Sequence, residues 1–207
     1  MNDPAILTLR QVQNTASEFL RRYHPALTIP IPIEEITELQ LKIKIILIKG
    51  LVRDFGVNAF ITQGFETIVI DEMMYVRQPE RIRFTIAEEV GHLFLHKTWY
   101  EKNGPKDAGD YLTWQEQLDG KLFDYIERQA KTFASMVLMP ETILYKLWER
   151  FRNRYNLPSS CSVYSIPDTF PDIAHTFAVS PDSLLVRLSF LKLVTVPDGF
   201  WNKVKRR

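Results

Sequence analysis

Glu88, Glu89 and His92 stand within five residues, as Glu88-Glu89-Val90-Gly91-His92. In a helix, positions i and i+4 lie one above the other on the same face. Glu88 and His92 can therefore both reach one ion. A carboxylate beside the first ligand sits next to a metal-bound water and can remove its proton, and Glu89 has that place. The string is one letter away from His-Glu-x-x-His, the helical metal-hydrolase pattern. A carboxylate at the first position binds zinc and, more readily, harder cations such as manganese. The pentamer alone also suits a solvated helical face. Its surroundings oppose that reading, because Ile82, Phe84, Ile86, Ala87, Val90, Leu93, Phe94 and Leu95 place apolar groups on nearly every side. A helix of that kind is buried, and ionised carboxylates are rarely buried without a partner. His96 follows one turn later. Groups at i, i+4 and i+8 span about 12 Å at 1.5 Å per residue, too far for Glu88, His92 and His96 to share an ion. His96 therefore reads as a core or supporting histidine. Gly91 costs a helix roughly 1 kcal/mol relative to alanine, which predicts a close approach there, by a strand or a substrate.

The elements that must position these groups follow from pattern. Pro79 and Glu80 suit a helix start, and the spacing predicts a helix from Pro79 to His96. Leu122 to Met139 has a second helical stripe of Phe123, Ile126, Ala130, Phe133, Ala134 and Val137. Ahead of them, short helices are expected over Thr15 to Tyr23 and Ile33 to Leu39, with Glu34 and Glu35 in the first turn of the latter. Leu41 to Ile48 alternates as a strand does, and Val57 to Thr62 and Thr67 to Ile70 suit a hairpin around Gly64. Lys97 to Lys121 reads as a surface loop with a short helix near Trp114 to Leu118. After Pro140 come a helix to Arg152, a loop over Pro158 to Pro171, two short helices over Ile173 to Phe177 and Pro181 to Leu191, and a final strand over Leu193 to Val196. A helix-rich α+β domain results, with about three strands packed on a central buried helix and a C-terminal helical pair.

The stretch from Arg83 to His96, Arg-Phe-Thr-Ile-Ala-Glu-Glu-Val-Gly-His-Leu-Phe-Leu-His, resembles the signature of the ImmA/IrrE zinc-peptidase-like family. There an Arg-Phe-Thr lead-in precedes Ala-His-Glu-Leu-Gly-His and a trailing Leu-His. The run from Glu127 to Pro140, Glu-Arg-Gln-Ala-Lys-Thr-Phe-Ala-Ser-Met-Val-Leu-Met-Pro, resembles the second signature of that family. The two cover about thirty residues tightly and most of the chain loosely. The resemblance implies a zincin-like fold, with Glu89 as general base, His92 as a metal ligand and Glu127 as the third ligand. Periodicity is compatible with Glu127, on one rim of the apolar stripe; Gln129, on the other rim, is the less favoured candidate. The departure is Glu88, where the family has histidine. With Glu88, Glu89 and Glu127 around one imidazole, like charges raise one another's pKa or require a cation. A divalent metal, a protonated carboxyl or a nearby arginine would each answer that demand. The metal set is then Glu88, His92 and Glu127, holding zinc or manganese, or no ion if the site is degraded, and catalysis is expected to be reduced, altered or lost.

The rest of the chain sets bounds. It has 207 residues, 45% hydrophobic and 25% charged, with a net charge of +1, which disfavours disorder and a nucleic-acid-binding molecule as a whole. The run Lys203, Lys205, Arg206 and Arg207 reads as a solvated tail. One cysteine, Cys161, excludes an intrachain disulfide and a cysteine-based zinc site. Neither a signal peptide nor a membrane span is expected, so a cytoplasmic location is the default. The organisation predicted is a peptidase-like domain over 1–157 and a helical extension over 158–207. That extension resembles a helix-turn-helix, but its second helix offers only Arg187 and Lys192, so a packed helical pair is preferred to a DNA reader. Two functional readings stand: a metal-dependent endopeptidase cleaving a regulatory protein such as a helix-turn-helix repressor, which the retained Glu89, His92 and Glu127 favour, and a non-catalytic relative that binds a partner protein, which the missing histidine favours.

Overall fold

A capping box opens the first helix: the Thr8 side chain accepts from the Gln11 backbone N–H, and the Gln11 side chain returns to Thr8. The structure, a computed structural model, describes residue 4 and residues 6–200. The basic run at 203–207 lies outside the described residues. Helix α1 (Leu9–Tyr23) starts a turn and a half before the expected Thr15 because of that cap. A single turn α2 (Ile33–Glu35) passes into a π-helical stretch (Ile36–Gln40). Strand β1 (Lys44–Ile48) follows, then α3 (Leu51–Phe55), β2 (Ala59–Ile61), β3 (Thr67–Asp71) and α4 (Glu72–Arg77). Helix α5 is Pro79–Asn103, α6 is Ala108–Gln117 and α7 is Gly120–Leu138. Then come α8 (Glu141–Arg154), β4 (Cys161–Ser162), α9 (Pro171–Phe177), α10 (Pro181–Phe190) and β5 (Val194–Thr195).

The expected α+β class is the observed one: a mostly helical zincin-like fold with a three-stranded mixed sheet. In that sheet β3 is central. It pairs in parallel with β1, Ile46 opposite Val69, and antiparallel with β2, Phe60 opposite Val69. The Phe60–Val69 pairing turns the N–H groups of Ala59 and Ile61 away from β3, because alternate residues in an antiparallel strand face opposite edges. The Ile61 N–H is thereby aimed at the α5 side, which matters below.

The chain divides into two compact units between Leu138 and Met139. That division groups α8 with α9 and α10, whereas a boundary after Leu157 is expected from the loop composition. The core of the first unit is the seam between α5 and α7, the most extensive helix contact there. Ile82, Ile86, Ala87 and Val90 from α5 meet Ile126, Ala130, Phe133, Ala134 and Val137 from α7, all buried. The ring of Phe133 stacks on Phe94 at 6.0 Å and meets Phe19 of α1 edge-on at 5.5 Å.

Several expectations are corrected. The stretch after His96 is helical to Asn103, with a break in helical geometry at His96 itself (φ −123°, ψ 16°). Aromatic packing carries this polar-looking segment: Trp99 and Tyr100 are buried against Trp114, which in turn packs on Tyr111. Helices α3 and α4 stand where no helix is expected. The second is capped by Asp71, whose buried carboxylate accepts from the Met74 and Val52 N–H groups at 3.0 Å each. Those bonds hold it below the usual carboxylate range, the Val52 one contributing most. Within the second unit the presumed loop after Pro158 contains β4, which pairs in parallel with β5. Cys161 is buried there, and burial pushes its thiol up, which leaves it a poor nucleophile. Arg187, one of the two cations the helix-turn-helix resemblance offered, is buried, with its guanidinium 3.6 Å from Glu141. No helix among the described residues is long and apolar enough to cross a membrane.

Candidate metal and catalytic centre

Gly91 is the reason the two long helices can meet at the site. A Cβ there would lie 3.2 Å from Ala130 Cα, 3.2 Å from Ala130 O and 3.2 Å from Phe133 Cδ1. The close approach anticipated at Gly91 is therefore made by α7, not by a strand or a substrate. Two of those three atoms are backbone of a buried helix and yield only if the helices separate. Gly91→Ala is expected to lose about 1–2 kcal/mol, overpacking outweighing the roughly 1 kcal/mol gain in helix propensity. A urea unfolding midpoint reads this; an unchanged or raised midpoint would show that the seam yields freely.

Across this seam the structure brings His92 and Glu127 together. His92 Nε2 lies 3.2 Å from Glu127 Oε1, with the imidazole buried and the carboxylate mostly so. The ring is oriented from behind. Gln129 donates its amide N–H groups to Leu7 O and Tyr125 Oη at 2.7 Å each, so its Oε1 is left to accept from His96 Nε2 at 3.0 Å. His96 Nδ1 then faces His92 Nδ1 at 3.2 Å. Burial, and then His92, lower His96 to about 4, so His96 is neutral and its single proton goes to Gln129. It therefore accepts from His92 Nδ1–H. The relay points His92 Nε2 at Glu127, the arrangement by which supporting groups orient a metal-ligating histidine. His96 is thus a supporting histidine. Gln129, the less favoured ligand candidate, bonds His96 instead of joining Glu127.

Glu88 also approaches Glu127, but differently. Lys131, one turn beyond Glu127 on α7, places its ammonium 3.3 Å from Glu127 Oε2 and 3.4 Å from Glu88 Oε1. Burial, then the charge of Glu127, push Glu88 up to about 8, and a hydrogen bond ties the two carboxyls. For Glu127 burial acts upward, but the bond and charge of His92, with Lys131, outweigh it and hold Glu127 at about 2. Glu88 is thus the partner that favours the proton, and Glu127 the one that favours the negative charge. On Lys131 burial works against the charge, and the two carboxylates more than offset it.

Glu89 faces away from this cluster toward the sheet. Its Oε2 accepts from the Ile61 N–H of β2 at 2.8 Å. Glu89 is buried, and burial, followed by the charges of Glu88 and Glu127, drives its carboxyl well above the usual range. The shift favours its protonated form. Tyr100, buried beside His92 with ring centroids 5.0 Å apart, feels the same field and is likewise raised, by burial first.

The donor chemistry of two carboxylates and an imidazole suits a divalent cation, but the arrangement does not. Both oxygens of Glu127 are occupied, one by imidazole and one by ammonium. Among the described residues no group of three or more His, Cys, Asp or Glu side chains is disposed to hold a metal ion. The residues therefore do not fit a three-ligand centre as they stand. The sequence reading missed Lys131, although its i, i+4 spacing from Glu127 was visible.

A mostly helical zincin-like domain, with a glutamate–glutamate–histidine helix facing a helix that presents Glu127, defines the class of this chain as metallopeptidase-like. The family model described as the IrrE N-terminal-like domain, of the M78 peptidases, matches residues 40–189, and the chain belongs to that family. Among solved structures it is similar to a Mycobacterium tuberculosis transcriptional regulator, with a TM-score of 0.54 and 13% identity over 86% of this chain and 46% of that one. The chain thus spans less than half the length of that structure, and the likeness is one of fold. No curated protein matches the sequence.

Proposed function

We propose that this chain is a regulatory member of the family that binds a protein partner and has given up metal-dependent peptide hydrolysis. The observation that carries the reading is Glu89. The residue that the family pattern makes the general base is buried and bonded to the Ile61 N–H, and burial drives its carboxyl well above the usual range. Burial thus favours the protonated form, which cannot take a proton from water, and the Ile61 bond holds the group toward the sheet. Glu88 supports the same reading. It stands where the family pattern has histidine, and it is bonded to Glu127 and Lys131. What persists is the scaffold, with its helix seam and its buried relay. A helix-turn-helix transcriptional repressor is the partner class that the ImmA/IrrE resemblance implies, and a cytoplasmic location agrees with it.

The convergence of His92 and Glu127 at 3.2 Å favours a second reading, a metal-dependent endopeptidase with a Glu-Glu-x-x-His site holding zinc or manganese. Casein and a fluorogenic peptide library, incubated with the full chain and zinc or manganese, separate the two. Cleavage no greater than that of Glu89→Gln is expected. Cleavage that chelator and Glu89→Gln both abolish would establish the endopeptidase.

A further inference from the structure

We propose that Lys131 is the resident cation of this site: its ammonium bridges Glu88 and Glu127, keeps divalent ions out of the wild-type chain, and masks a latent metal site made of Glu88, His92 and Glu127. The inference deepens the non-catalytic reading and rests on it. Three facts carry it. The ammonium lies 3.4 Å and 3.3 Å from one oxygen of each carboxyl, so it touches both groups that a bridging cation would touch. Glu127 spends its second oxygen on His92, so the ammonium and the imidazole together consume the carboxylate that would anchor an ion. The His92 ring is nonetheless held from behind by His96 and Gln129, with Nε2 directed at Glu127, an orientation that a side chain retained only for packing does not need.

The physical logic is one of charge. Two acidic side chains, Glu88 and Glu127, meet in a largely buried space with Glu89 buried beside them, and like charges there require either protons or a cation. A divalent ion is one solution. A tethered ammonium is another, and being covalently attached it has no dissociation to suffer and no dependence on supply. Its compact charge on a flexible stem suits the task. The stem runs out toward solvent, leaving Lys131 half-exposed while its tip reaches inward. The half-exposed stem also means that Lys131 can be changed without opening the core.

The test uses the full chain as wild type, Lys131→Met and Lys131→Arg, titrated calorimetrically with manganese chloride and with zinc chloride, and melted with and without chelator. Wild type and Lys131→Arg are expected to bind neither ion at the site and to melt at a temperature that ignores chelator. Lys131→Met removes the ammonium and keeps the stem. It is expected to melt lower in chelator, to recover when either ion is added, and to bind it at least roughly tenfold more tightly than wild type. Adding Glu127→Gln to Lys131→Met is expected to abolish the gained binding, which places it at these carboxylates. If Lys131→Met gains no metal affinity while wild type is metal-free and inactive, the masking role is overturned and the non-catalytic reading survives. If wild type already holds one tightly bound ion and cleaves protein, both are overturned.

Discussion

Glu89→Gln is expected to fold with wild-type stability at pH 5 and to exceed it at pH 8, whereas Glu89→Ala loses about 2–4 kcal/mol at pH 5 and less at pH 8. Glutamine keeps the shape and an oxygen for the Ile61 N–H, and it carries no charge. Alanine removes packed methylenes and leaves that N–H, donated at 2.8 Å in the native fold, without an acceptor. The pH dependence follows from the sign of the shift. Glu89 is raised well above its ordinary value, chiefly by burial, and Glu88 is raised to about 8 by burial and by Glu127. A carboxyl with a raised folded pKa contributes stability that is fully present below its unfolded value of 4.5. That stability is lost as pH climbs through the folded value. Wild-type stability is therefore expected to fall between pH 5 and pH 8, by on the order of 2–4 kcal/mol, and the fall is shallower in Glu89→Gln. Glu127 has the opposite sign: lowered to about 2, it contributes above pH 4.5 and is lost in acid as pH falls toward 2. Urea unfolding at several pH values measures all of this. A Glu89→Gln variant less stable than wild type at pH 8 would mean that Glu89 is ionised in the native fold, and the principal support for a non-catalytic protein would go with it.

Phe133→Ala is expected to cost about 3–5 kcal/mol, at the upper end for a core truncation. The ring is fully buried, stacks on Phe94 of α5, meets Phe19 of α1 edge-on, and fills the space that Gly91 leaves open. Three helices lose a common contact at once, and collapse into the void is limited because two of them are held at their own sites. The same substitution loosens the spacing that sets His92 against Glu127. A loss under roughly 1.5 kcal/mol in a urea midpoint would show that the seam is not the structural centre of the first unit.

The backbone of the site was legible in sequence because it is local. The continuous apolar run around Glu88, Glu89 and His92 requires a buried helix whatever surrounds it, and the stripe from Phe123 to Val137 fixes which face of α7 turns inward. Glu127 lies on the rim of that stripe, so its place near the first helix could be expected. Lys131 could not be placed the same way. One turn from Glu127, it reads as an ordinary solvated lysine, and its reach to Glu88 depends on how closely Gly91 lets the helices approach. Nor could the sequence show that the Ile61 N–H faces Glu89, since that follows from strand register. Helix α4 was hidden because Asp71 ends a strand and caps a helix at once, and the helical turns after His96 were hidden because a polar composition masked Trp99 and Tyr100, which tertiary packing buries.

The central claim is that this site balances its carboxylates internally, with protons and the Lys131 ammonium. Elemental analysis of the full chain, incubated with excess zinc or manganese and then desalted, tests it most directly. A metal content far below one ion per chain is expected. One ion per chain, retained through desalting and lost in Glu127→Ala, would contradict it.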